Sequence, residues 1–271
     1  MIPQPVPPLA SRDTYMTDPA RRVGAAARVV PSLVFYQRMA RDVFWSAHRA
    51  RRGTYGDHEW EDSSWAILDA LERVGVRFQL EGLRHLTAFE GPAVFAGNHM
   101  STLETFVLPI LISPVKPVTF VIKQSLIDYP VFKHVMRSRD PIVVSRDNPR
   151  ADLVTVLEEG KKRLLAGRSV ILFPQTTRSA VFDPEQFNTL GVKLARSAGV
   201  PVVPFALETR AWGNGRWLKE YGPIRPDLPV HISFDAPITI EGNGRAAHER
   251  MLQFIEGALR AWGVTVQSSA P

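Results

Sequence analysis

Short apolar runs recur through the middle of the chain, and stretches of helical period lie between them. Phe78 and Leu80 alternate with Arg77, Gln79 and Glu81, which predicts a half-exposed strand. Further strands are expected at Ala93–Ala96, Val118–Ile122, Ile142–Val144, Val170–Phe173, Val202–Leu207 and Val230–Phe234. The intervening helices are expected from Leu103 to Leu111, up to Ala166, through Phe187–Ala198 and from Ala246 to Trp262, with Gln124–Met136 a segment of unassigned form. The second of these has clear ends. Asp147-Asn148-Pro149 supplies an Asx cap and a proline at the first helical position; Lys161, Lys162 and Arg163 precede Gly167 at the other end. Strands alternating with helices predict an α/β domain over residues 76–262. Its sheet is mixed but mainly parallel, with helices on both faces.

The flanks differ. Residues 1–19 hold four prolines before position 10 and are expected to form a disordered arm, and residues 263–271 a frayed tail. Residues 20–75 are expected to be helical, interrupted at Pro31 and broken over 53–60, with a second helix from Ser63 to Arg73. Arg21, Arg22, Arg28, Arg38, Arg41, Arg49, Arg51 and Arg52 interleave there with Leu33, Val34, Phe35, Met39, Val43, Phe44 and Trp45. That pattern suits an amphipathic segment in a membrane interface, rings at headgroup depth and arginines near phosphates. It also suits a helix packed on the domain with solvated arginines.

Composition narrows the chemistry. The absence of cysteine excludes disulfides, thiolate nucleophiles and cysteine-ligated metals. A net charge of +6 favours anionic partners. Without an apolar run of roughly 18–20 residues or a signal-peptide start, a peripheral or monotopic place on the cytoplasmic face of a membrane is expected. The arginines are concentrated near the N-terminus rather than spread with stacking aromatics, so no nucleic-acid partner is expected.

In an open α/β sheet, ligands bind beyond the carboxyl ends of the strands. Three loops there carry polar residues: Asn98–Ser101, Lys123 and Gln175–Ser179. An imidazole titrates near neutrality, so His99 suits general-base work, and Glu104 can reach back to fix its tautomer. Ser101-Thr102-Leu103-Glu104 equally fits a capping box, in which Glu104 only satisfies the Ser101 N–H. Arg178 suits a phosphate clamp, or an ion pair to Asp183 or Glu185. No G-x-S-x-G elbow, Walker loop or metal-ligand spacing is present, so neither a metal nor a cofactor is expected.

Taken together the motifs are familiar. Asn98-His99-Met100-Ser101-Thr102-Leu103-Glu104 resembles the N-H-x-S-x-x-D block of the glycerolipid acyltransferases, the lysophosphatidic acid acyltransferase-like family. Phe173-Pro174-Gln175-Thr176-Thr177-Arg178-Ser179 resembles its F-P-E-G-T-R-S block, and Val200-Pro201-Val202-Val203-Pro204 its V-P-I-V-P block. Lys123, Leu126, Pro130 and Arg146 fall where its remaining block carries K-x-x-L-x-x-x-P and a terminal arginine. All four stand in order over roughly residues 75–240.

The resemblance implies transfer of a fatty acyl group from acyl-CoA or acyl carrier protein, as co-substrate, to the hydroxyl of a lysophospholipid such as lysophosphatidic acid. It makes His99 the base, with Glu104 in place of the family's aspartate. Arg178, Thr177, Lys123, Arg146 and Ser101 become substrate-binding residues, and membrane lipids the surroundings. The chain departs from the pattern at Gln175-Thr176, where the family has Glu-Gly, and at Phe187-Asn188, where it has Phe-Lys. Those changes keep open a catalytically inactive, lipid-binding protein of the same fold.

Overall fold

The computed structural model describes Leu9 and residues 12–129, 132–175, 177–216 and 218–267. Its strands are β1 (Tyr15–Met16), β2 (Phe78–Glu81), β3 (Val94–Gly97), β4 (Val118–Lys123), β5 (Ile142–Val144), β6 (Ser169–Leu172), β7 (Val202–Glu208) and β8 (Val230–Phe234). They form one sheet in the order β1-β2-β8-β7-β3-β6-β4-β5. The five strands from β7 to β5 are parallel, β8 turns antiparallel to β7, β2 runs parallel to β8, and β1 antiparallel to β2. The mixed, mainly parallel α/β sheet is as the alternation of elements predicts.

Both faces are covered, which is why β3 and β6 read as uninterrupted apolar runs. On one side, α2 (Pro31–Arg51), α3 (Asp57–Arg73) and α4 (Leu103–Ile112) pack over Phe78, Leu80, Phe95, Phe120 and Phe205. On the other, α7 (Pro149–Leu165), α8 (Leu190–Ala198) and α9 (Arg245–Ala261) pack over Val94, Ala96, Leu172, Val202 and Ala206. Shorter helices complete the chain: α1 (Ala25–Val29), α5 (Gln124–Asp128) and α6 (Lys133–Ser138). Gly97 ends β3 where a Cβ would collide with the ring and carbonyl of Phe205 on β7, so the central strands close only around glycine.

The order of strands sets the place of the site. From β3 the chain crosses to β4 on one side of β6; from β6 it crosses back to β7 on the other side of β3. The loops leaving these two adjacent strands therefore part in opposite directions and leave a crevice at their carboxyl ends. His99 lies in the first loop and Arg178 in the second.

Three boundaries differ from the sequence reading. The expected arm is structured where it is described: Tyr15–Met16 pairs with β2, and the hydroxyls of Tyr15 and Thr17 donate to buried Glu72 at 2.8 and 2.6 Å. Its proline-rich start, residues 1–8, lies outside the described residues. Helix α3 begins at Asp57 rather than Ser63, because Glu59 accepts the Gly56 N–H at 2.8 Å and caps the first turn. The expected frayed tail is ordered as far as Gln267, whose N–H donates to the Phe182 carbonyl at 2.8 Å beside a Phe182–Val266 bridge. Among the described residues no helix is long and apolar enough to cross a membrane.

Candidate active site

Asn98 continues β3 by side chain rather than by backbone. Its amide exchanges two hydrogen bonds with the backbone of Leu207 on β7, both 2.8 Å, and so pins the turn that presents His99. His99 Nδ1 lies 2.9 Å from Glu104 Oε1. The same oxygen accepts the Met100 and Ser101 N–H groups at 2.7 and 2.8 Å. Glu104 Oε2 accepts the hydroxyls of Ser101 and Thr209 at 2.9 and 2.7 Å. The two readings of Glu104 are therefore one arrangement: it caps its helix and holds the histidine with the same carboxylate. Burial pushes the Glu104 carboxyl up, but the bonds from His99, Ser101 and Thr209 outweigh it and hold it below the ordinary carboxylate range. A buried carboxylate that accepts at Nδ1 puts the histidine proton there and leaves Nε2 as the basic nitrogen. Nε2 has no hydrogen-bond partner among the described residues.

The second loop is laced to the first. Gln175 is buried, and its amide oxygen accepts the His99 N–H at 2.8 Å; the Ser179 N–H donates to the His99 carbonyl at 2.9 Å. The uncharged amide oxygen of glutamine makes this bond at the position where the family carries glutamate. The neighbouring Thr176 lies outside the described residues. The Phe173 ring stacks on the imidazole at 4.1 Å and 15°. Asn188, where the family carries lysine, donates to the Pro174 carbonyl and supports the same loop.

His99 lines a cavity of about 490 Å³. Arg178, Thr177, Lys123 and Arg146 line it too, as does Lys219, so the structure brings four of the expected substrate-binding residues to the histidine. Ser101 is not among them; its hydroxyl donates to Glu104 and accepts the Leu103 N–H at 3.1 Å. Arg178 pairs at 3.5 Å with Glu220, rather than with Asp183 or Glu185. Arg146 has a positive φ of 66°, a conformation costing a non-glycine residue about 1–3 kcal/mol, and Asp152 holds it by accepting its N–H at 2.7 Å. Burial, and then the nearby Arg178 guanidinium, lower the Arg146 pKa, against the opposing charge of Asp152. Apolar side chains share the lining: Phe106, Phe120, Ile122, Phe132 and Met136.

Sequence reasoning missed Thr209, Glu220, Lys219 and Asn214, whose side-chain amide donates to the Met100 carbonyl at 3.0 Å. All lie at or beyond the end of β7, more than a hundred residues from the histidine turn, and no local motif links them to it.

Comparison with known proteins bears on the same stretch of the chain. Residues 77–208 match the family model described as Acyltransferase, a span that holds all four sequence blocks. A 1-acyl-sn-glycerol-3-phosphate acyltransferase of Pseudomonas aeruginosa is 32% identical over 176 residues, 64% of this chain and 66% of that one. A chloroplastic 1-acyl-sn-glycerol-3-phosphate acyltransferase of Arabidopsis thaliana is 30% identical over 131 residues, 48% of this chain and 36% of that one. The chain thus spans just under two thirds of the first relative's length and about a third of the second's. The crystal structure of the 1-acyl-sn-glycerophosphate acyltransferase of Thermotoga maritima superposes with a TM-score of 0.62 at 16% identity, covering 90% of this chain and 98% of that one; the fold is shared. Residues 77–208, which hold the histidine, its carboxylate and Arg178, thus match the acyltransferase family's domain.

Proposed function

We propose that the protein transfers a fatty acyl group from a thioester, acyl-CoA or acyl carrier protein, to the hydroxyl of a lysophospholipid. One observation carries this reading: a histidine–carboxylate pair opens on a cavity lined both by cations and by apolar side chains. His99 Nε2 takes the acceptor's proton as its oxygen attacks the thioester carbonyl. The carbon–sulfur bond breaks, and the imidazolium returns the proton to the leaving thiolate, giving an ester and a free thiol. Arg178, with Arg146 and Lys123, binds the acceptor's phosphate. The apolar wall receives the acyl chain, which gains about 0.8 kcal/mol per buried CH₂.

The test is thiol release from palmitoyl-CoA across a panel of lysolipid acceptors. Acceptor-dependent release supports acyl transfer and names the acceptor. Vesicle binding with no release from either thioester donor supports the inactive, lipid-binding reading. Arg178→Ala is expected to raise KM for a phosphorylated acceptor by about tenfold to a hundredfold, the worth of a charge-assisted hydrogen bond. An unchanged KM would remove Arg178 from the acceptor site.

The protein is proposed to work as a peripheral protein at the cytoplasmic face of a membrane. Helix α2 has its Phe35 and Met39 side buried, while Leu33, Phe44 and Trp45 are more than half exposed on its outer side, among Arg38, Arg41 and Arg49. Exposed rings beside arginines suit the headgroup layer. Phe44→Ala with Trp45→Ala is expected to weaken binding to anionic vesicles by about tenfold or more while the melting temperature holds, because neither ring packs in the core. Vesicle binding equal to wild type would place the membrane face elsewhere.

A further inference from the structure

The cavity that begins at His99 does not end among apolar side chains. Thr119 and Val94 share the partner Val170, so Thr119 sits at the level where β3 begins, four residues below Lys123 and about 13 Å down the strand. The Thr119 hydroxyl donates to the Arg139 carbonyl at 2.8 Å, which fixes Arg139 at that depth. Arg139 lines the cavity and is 8% exposed. Its Nη1 donates to Asp57 at 2.6 Å and its Nη2 to the Tyr55 carbonyl at 3.3 Å, which leaves a second N–H on each of these nitrogens.

Hydroxyls gather beside it. Tyr55 Oη and Ser63 Oγ are 2.6 Å apart, Ser63 donates to the Trp60 carbonyl at 3.0 Å, and buried Ser46 lines the same part of the cavity. With the Ser63 proton on Trp60, the tyrosine proton lies between the two oxygens, and the cluster keeps acceptor lone pairs. The deep end thus offers guanidinium N–H groups beyond those two bonds and a set of acceptors. A terminal methyl group satisfies neither, whereas a hydroxyl accepts from one and donates to the other.

We propose that this cavity recognises an oxygenated acyl chain, carrying a hydroxyl toward its distal end that pairs with the Arg139 guanidinium and the Tyr55–Ser63 hydroxyls. The inference rests on the reading that the cavity holds the acyl chain, so its test has two readouts. The first is displacement of a fluorescent fatty acid by ω-hydroxy fatty acids and their unsubstituted parents, over chains from decanoic to hexadecanoic. The second is thiol release from the matching CoA thioesters. Each is run on wild type, Tyr55→Phe and Arg139→Lys; the lysine keeps a cation for Asp57 but lacks the guanidinium's fork of N–H groups.

At the best-fitting length the hydroxylated chain is expected to bind about fivefold to tenfold more tightly than its parent. In an apolar-ended cavity the added hydroxyl would instead weaken binding. Tyr55→Phe, which is nearly isosteric, and Arg139→Lys should each bring the ratio toward one. Parent chains that bind as well as hydroxylated ones at every length, or a preference untouched by both variants, would overturn the proposal while leaving acyl transfer standing. A preference in binding without turnover of any thioester would uphold it and remove the acyl-transfer reading instead.

Discussion

His99→Ala is expected to lower acyl transfer by about 10²–10⁴ while the protein stays folded, the loss that follows removal of a general base. The two effects separate because the imidazole is peripheral to what holds the turn together. The Asn98 amide is bonded to Leu207, the His99 N–H to Gln175, and the His99 carbonyl to the Ser179 N–H; all three survive the substitution. Glu104 keeps four of its five donors. The side chain loses its stack on Phe173 and one hydrogen bond to a charged partner, together about 2–4 kcal/mol. For a chain of this length that shifts the melting temperature by several degrees without unfolding the protein. Acceptor-dependent thiol release measured on wild type and variant checks the rate, and thermal melting checks the fold. Turnover within tenfold of wild type would take His99 out of the base role.

What could be read in advance follows the range of each interaction. Helix α7 was legible to the residue at its start, because its cap is local: Asn148 Oδ1 accepts the Arg150 and Ala151 N–H groups two and three residues on. The apolar runs placed the strands within about a residue, since burial on both faces leaves little else for them to be. The pairing of His99 with Glu104 spans five residues and was one of two open readings, but spacing alone could not show that both were true at once. Thr209, Gln175 and Glu220 were not legible as partners, because each meets the site across the sheet or from a loop over it. The start of the chain was misread for the same reason. Tyr15 and Thr17 are held by Glu72, more than fifty residues away, and nothing near them in sequence announces an ordered strand.

Glu104→Gln is expected to have the second large effect, and to separate the two duties of the carboxylate. The glutamine oxygen can keep the place of Oε1, accepting from His99 Nδ1 and from the Met100 and Ser101 N–H groups. The amide nitrogen then faces the Ser101 and Thr209 hydroxyls, which can rotate to accept. Capping therefore survives in outline, at a stability cost of about 1–3 kcal/mol for weakened bonds at a fully buried position. Catalysis suffers more. The imidazolium that forms as the acceptor is deprotonated loses its buried counter-charge, and a loss of about 10² or more in kcat is expected. The pH dependence of stability distinguishes the charge from the shape. Because the folded pKa of Glu104 lies below its ordinary 4.5, its contribution is complete above 4.5 and is lost as pH falls through the lower folded value. The stability gap between wild type and variant should thus be widest at neutral pH and should close as the medium is acidified below 4.5. Melting curves taken from pH 7 downward, beside kcat for both proteins, test this. A gap that stayed constant with pH would mean that the ionised carboxylate adds nothing to the fold beyond what an amide supplies, and an unchanged kcat would remove Glu104 as the partner that orients His99.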